Sequence, residues 1–170
     1  HYPHLIDARI SLGWNEQKVG QQAEAAKEFK IALKNDPLNV IAHFDLGVSY
    51  FKLGRLQDAL QELQATLALA PYYTRAENLL ATIGLQEGNY EEAEEHFRHI
   101  LTIDSNDYAA NYDLGALEIL KRQWHQAHQH LLVAVRVEPY NPAALNTMGS
   151  YYMLRGNLTK AQQEFMQAIE

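Results

Sequence analysis

Residues 37–71 read PLNVIAHFDLGVSYFKLGRLQDALQELQATLALAP, a stretch bounded by Pro37 and Pro71. Those prolines stand 34 residues apart, and Ser105 and Pro139 follow at the same interval, each leading into a fresh helix-forming run. A fixed period of roughly 20–50 residues marks an array of supersecondary units, and it decides architecture before local propensity is considered.

Working outward from that stretch, the chain falls into blocks at 6–39, 40–73, 74–107, 108–141 and 142–170, with residues 1–5 as a lead-in. The eighth column of the blocks holds Gly13, Gly47, Ala81, Gly115 and Gly149, and the twentieth holds Ala25, Ala59, Ala93, Ala127 and Ala161. Small residues recur where two helices must touch. Leu12, Leu46, Leu80, Leu114 and Met148 fill the seventh column, and Phe29, Leu63, Phe97, Leu131 and Phe165 fill the twenty-fourth. In the fifteenth column Gly20, Gly54, Gly88 and Gly156 supply the positive backbone angle that ends a helix, with Arg122 as the one replacement. Each block is therefore a hairpin of two helices, A and B. Helix B runs toward the proline, which cannot continue a helix, and Asn39, Asp107 and Asn141 stand where a side-chain oxygen caps the next helix A.

The run Leu46-Gly47-Val48-Ser49-Tyr50, followed by Gly54, Ala59, Leu63 and Pro71, resembles the tetratricopeptide repeat family, and the resemblance extends over residues 6–170. It implies an all-α fold, an α-α superhelix in which antiparallel hairpins stack into a right-handed solenoid. It also implies protein–protein recognition on a concave wall made by the A helices. The chain departs from the family in the fourth column, where a tryptophan is common and Arg9, His43, Glu77, Asn111 and Leu145 stand. Gly84 occupies the eleventh column in place of an aromatic residue and is expected to loosen the third hairpin.

With 47% hydrophobic residues the chain can bury a substantial core, and a solenoid buries it as a layer shared between neighbours. No apolar run is long enough to span a membrane, and the first residues lack the features of a secretory signal. The end of the sequence falls inside the fifth helix B. It leaves Leu158, Phe165 and Ile169 to be covered by another copy, a neighbour or the rest of a longer chain, so a fragment is expected and self-association through this helix is one outcome. Cysteine is absent, which excludes disulfides and thiolate chemistry from this segment and leaves the compartment undecided. The formal charge of −7 is spread unevenly: residues 1–85 carry 8 basic against 9 acidic side chains, and residues 86–170 carry 6 against 12. Nothing resembles the basic stripe that phosphate backbones require, so nucleic acid is not expected as a partner.

Candidate binding residues come from helix A. Leu46, Tyr50 and Leu53 form one apolar stripe facing helix B, while Phe44, Val48 and Phe51 form a second, about 200° round the helix at 3.6 residues per turn. The plain reading of a second stripe is packing between A helices, and it is preferred for Phe51, Leu85, Ile119 and Met153. Trp14, Phe44, Val48, Asn78, Thr82, Tyr112 and Asn146 are instead expected to line one continuous groove, where rings supply buried area and amides pair with a peptide backbone.

Chaperone-tail capture, the carboxylate clamp of some family members, is not expected. Its five places hold Ile10, Trp14, Asp45, Arg75 and Leu79, of which Arg75 alone has the right type, and the shifted frames place Asp113 there instead. His96, His99, His125, His128 and His130 cluster on the B helices of the third and fourth blocks. A metal would need three or four ligands converging near 2 Å, so solvated outer-face histidines are the preferred reading and a zinc or nickel site the minor one. The acidic run Glu91, Glu92, Glu94 and Glu95 reads as a soluble helix start. No phosphate-cradling glycine loop or nucleophile elbow appears, so no catalysis and no cofactor are expected in the segment. The favoured function is a scaffold holding a peptide or partner protein. The alternative is an accessory array fused to an enzyme of glycosyltransferase or sulfatase type.

Overall fold

The computed structural model describes residues 3–169, which form ten α-helices and no strand. In chain order these are α1 (Pro3–Lys18), α2 (Gln22–Asn35), α3 (Val40–Lys52), α4 (Leu56–Leu69), α5 (Thr74–Glu87), α6 (Tyr90–Ile103), α7 (Tyr108–Leu120), α8 (Trp124–Val137), α9 (Pro142–Leu154) and α10 (Leu158–Gln167). Odd-numbered helices are the A members of the hairpins and even-numbered ones the B members. The lead-in is shorter than the sequence suggests: α1 already starts at Pro3, a residue tolerated in a first turn. His1 and Tyr2 of that lead-in, and Glu170 of the last block, lie outside the described residues.

The caps fall where the sequence places them. Asn39 accepts a hydrogen bond from the Ala42 amide at 3.0 Å, Asp107 from Ala110 at 2.8 Å and Asn141 from Ala143 at 2.9 Å. Each satisfies a backbone donor that the first helical turn leaves free. Inside a hairpin, helix A ends in a left-handed residue, and the next amide reaches back five residues: Arg55 N–H to the Tyr50 carbonyl at 2.9 Å, Gln123 N–H to that of Glu118 at 2.8 Å. Gly54 makes the first turn at φ 72°, whereas Arg122 makes the second at φ 58°. A side chain in that region costs about 1–2 kcal/mol, partly offset by the lower chain entropy of a non-glycine residue. Arg122→Gly is therefore expected to stabilise the chain by about 0.5–1 kcal/mol, read as a higher denaturant midpoint. An unchanged or lower midpoint would show that the arginine side chain supplies compensating contacts.

The chain divides within α5 into two compact units, one ending at Ile83 and the other beginning at Gly84. The sequence reading treats the five blocks as a single domain, and the division coincides with the eleventh-column glycine. In the N-terminal unit, Ile10, Ala25, Phe29, Leu46, Leu63 and Ile83 belong to one apolar core. The A and B helices approach closely there because a methyl on Gly13 would lie 2.6 Å from the Phe29 ring, and one on Gly47 would lie 3.1 Å from Leu63 Cγ.

The C-terminal unit repeats this chemistry, with Ala93, Phe97, Leu114, Leu131, Leu145 and Met148 fully or almost fully buried. Gly84 is itself buried, and a methyl there would meet the Asn89 carbonyl oxygen at 3.3 Å and Ala93 Cβ at 3.4 Å. A side chain at this position would therefore crowd the turn that follows α5.

Candidate functional site

In the N-terminal unit, residues of α1, α3, the linker after α4 and the start of α5 enclose an open cleft of about 490 Å³. Its centre is a polar clasp. The Trp14 indole N–H donates to Asp45 Oδ2 at 2.6 Å, and the Gln17 amide donates to the Asp45 carbonyl at 2.9 Å and to Ser49 Oγ at 3.0 Å. These bonds join α1 to α3, so Asp45, which the sequence reading counts only as a repulsive charge, is a structural anchor. Burial pushes its carboxyl above the ordinary aspartate range, against the opposing pull of the indole bond and the nearby Arg75 cation. Trp14 keeps 41% of its surface exposed at the mouth of the cleft, beside Ile41 at 43%.

Phe44 departs from the exposed position expected of it. It is only 4% exposed: the Tyr73 ring packs against it at 5.1 Å and the Arg75 guanidinium lies 4.5 Å from its ring centroid. The cause is the linker after α4 and the first turn of α5, whose residues fold over α3. Phe44 is thus a core residue beneath Tyr73 and Arg75, and those two are the groups that line the cleft. Val48 is partly buried against the same core. Asn78 and Thr82 are half-buried, and the Thr82 hydroxyl donates to the Asn78 carbonyl at 2.9 Å, which leaves the Asn78 amide group outside that bond.

In the C-terminal unit, Tyr112 is half-buried and stacks on Tyr108 at 5.9 Å with 7° between the planes, while Asn146 is exposed on α9. Beside Tyr112, burial together with the neighbouring Asp107 charge raises the Asp113 carboxyl to about 6. A folded-state value above the unfolded one means stability that is present below about pH 4 and lost as pH rises through 6. Asp113→Asn is accordingly expected to stabilise the chain at pH 7.5 by an amount on the order of 1–2 kcal/mol, discounted for partial solvent screening, and by nothing below about pH 4. Paired melts at the two pH values check the sign; equal gains at both would overturn the assignment to ionisation.

The five histidines do not present a shared face. His130 Nδ1 pairs with Glu118 Oε2 at 2.7 Å, and His128 Nε2 meets the Tyr152 hydroxyl at 3.0 Å while its ring stacks on Tyr151 at 5.2 Å. His96 and His99 are half-buried and engaged with partners, and only His125 is exposed. The expectation of solvated histidines is therefore corrected for His96, His99, His128 and His130, which stand in the twenty-first, twenty-third and twenty-sixth columns and are half-buried with partners of their own. Among the described residues no three His, Cys, Asp or Glu side chains are grouped to hold a metal ion. In the acidic run, Glu94 does more than favour a helix start: Lys121 and Arg98 both donate to it at 2.7 Å, and the Lys121 bond holds its carboxyl below the usual range. In α10 Leu158 is exposed and Phe165 is half-buried, and Ile169 just beyond it is exposed. No described helix is long and apolar enough to cross a membrane.

Residues 10–74, 84–139 and 142–170 each match a model of the tetratricopeptide repeat. No curated protein matches the sequence at a significant level. Among solved structures, MamA is 22% identical with a TM-score of 0.81, covering 92% of this chain and 92% of its own. PilF of Pseudomonas aeruginosa is 22% identical with a TM-score of 0.87, covering 98% of this chain and 77% of its own. PilW, a type IV pilus biogenesis factor, is 22% identical with a TM-score of 0.82, covering 96% of this chain and 76% of its own. These likenesses are likenesses of fold.

Proposed function

The chain belongs to the tetratricopeptide repeat family, and from that premise we propose that it is a protein-interaction scaffold whose A helices hold a peptide or partner protein. The observation that carries the reading is the cleft of the N-terminal unit, where a large ring and an aliphatic side chain stand open beside a wall already fixed by hydrogen bonds. Rigid aromatic surface of this kind gives contact area at little entropic cost. Trp14, Asn78 and Thr82 are assigned to partner contact in this unit, with Val48 and Phe44 as the support behind them. Tyr112 and Asn146 are assigned the same role on the C-terminal unit. No residue is assigned to catalysis.

The test uses the whole chain immobilised as bait, with the retained proteins identified and their affinities measured. Trp14→Ala combined with Ile41→Ser is expected to weaken the retained partner about thirtyfold or more, the loss of an anchor worth about 2 kcal/mol. Because Trp14 also binds Asp45, the single variant Ile41→Ser, at an exposed position, separates a binding loss from a folding loss. If both variants hold the partner as wild type does, this face is not the binding surface. If the wild-type chain retains nothing, the scaffold reading itself fails.

A further inference from the structure

In a chain with formal charge −7, the cleft of the N-terminal unit is lined by Lys18, Lys52 and Arg75 against the single carboxylate of Asp45. That carboxylate is already bonded to the Trp14 indole. Neither lysine takes part in an ion pair among the described residues. Each stands in the last turn of its A helix, where free carbonyls favour a cation. The helix ends account for a lysine on each helix, but not for both lining the same cleft as Arg75. Arg75 is held over the Phe44 ring at 4.5 Å, so its guanidinium is oriented in advance. Open apolar surface lies among these cations, at Trp14 and Ile41.

We propose that this cleft selects partner segments in which an aspartate or glutamate side chain adjoins a bulky apolar one, the carboxylate being received by Lys18, Lys52 and Arg75 and the apolar group by Trp14 and Ile41. The inference rests on the scaffold reading and narrows it to one class of ligand. The source of the negative charge is an internal side chain. A local excess of two positive charges on an otherwise acidic protein steers an acidic segment to this place and opposes a basic one. The apolar pair supplies the buried area that ion pairs in water do not.

The experiment is selection of a random dodecapeptide library displayed at the N-terminus of a phage coat protein, so that no peptide has a free terminal carboxylate. Against the whole chain, the selected pool is expected to be enriched severalfold in Asp and Glu next to Leu, Ile, Phe or Trp. Binding of a synthetic pool member with both ends blocked should weaken as salt rises. Replacing both exposed lysines, Lys18→Gln and Lys52→Gln, should abolish the acidic enrichment and cut the affinity of that peptide tenfold or more, with the melting temperature unchanged. A pool without acidic enrichment, a failure to select any pool, or the same enrichment on the double variant overturns the proposal. The two readings fail separately. If immobilised wild type retains a natural partner through Ile41 and the lysine variant retains it equally, the scaffold stands and its acidic selectivity does not.

Discussion

Phe44→Ala is expected to lower the stability of the chain by about 3 kcal/mol, the usual cost of emptying a buried aromatic site. The ring is 4% exposed, lies against Tyr73 and carries the Arg75 guanidinium on its face, so truncation removes core volume and a cation–π contact together. Tyr112→Ala provides the comparison. Tyr112 is half-buried and its principal ring contact is a stack with Tyr108, so its loss should cost nearer 1 kcal/mol. Denaturant titration followed by circular dichroism measures both. Equal, small losses would return Phe44 to the role of an exposed contact residue.

The second large effect is expected at His130. Glu118 is completely buried, and its carboxylate meets His130 Nδ1 at 2.7 Å and the Arg98 guanidinium at 3.5 Å. Removing the imidazole leaves a buried acid with one long contact, a change that characteristically costs about 3 kcal/mol. His130→Ala should therefore be severely destabilising, and adding Glu118→Gln should recover part of the loss, because an amide carries no charge to strand. If the double variant is no more stable than the single one, the imidazole acts through packing and not through the carboxylate.

These two sites show where sequence reasoning reaches its limit. The repeating columns are legible because one steric demand acts in every hairpin. Gly47 must be small since Leu63 would lie 3.1 Å from any added methyl, and the same constraint returns at Gly13, Gly115 and Gly149. The caps at Asn39, Asp107 and Asn141 are legible for a similar reason, since donor and acceptor lie within three residues of each other. Phe44 was not legible, because its cover comes from Tyr73 and Arg75, about thirty residues further along. Nor was the clasp from Trp14 to Asp45, a bond between non-equivalent columns of successive blocks. The one available signal was compositional: the eleventh column holds Tyr50 and Tyr152 but also Glu16, Gly84 and Glu118, and an acid in a column where rings pack calls for a partner.

The chain has 2 tryptophans, Trp14 and Trp124, and the division at Gly84 puts one in each unit. Nature has thereby fitted each half with its own chromophore. Trp14 sits against a carboxylate, whereas Trp124 lies near Tyr151 with the Arg155 guanidinium 5.6 Å from its ring centroid, so their emission should respond differently to loss of structure. With Trp124→Phe, tryptophan emission excited selectively over that of the tyrosines reports the N-terminal half alone, and the converse holds with Trp14→Phe. Superimposable transitions would mean a single cooperative unit, and separated ones would time the halves individually.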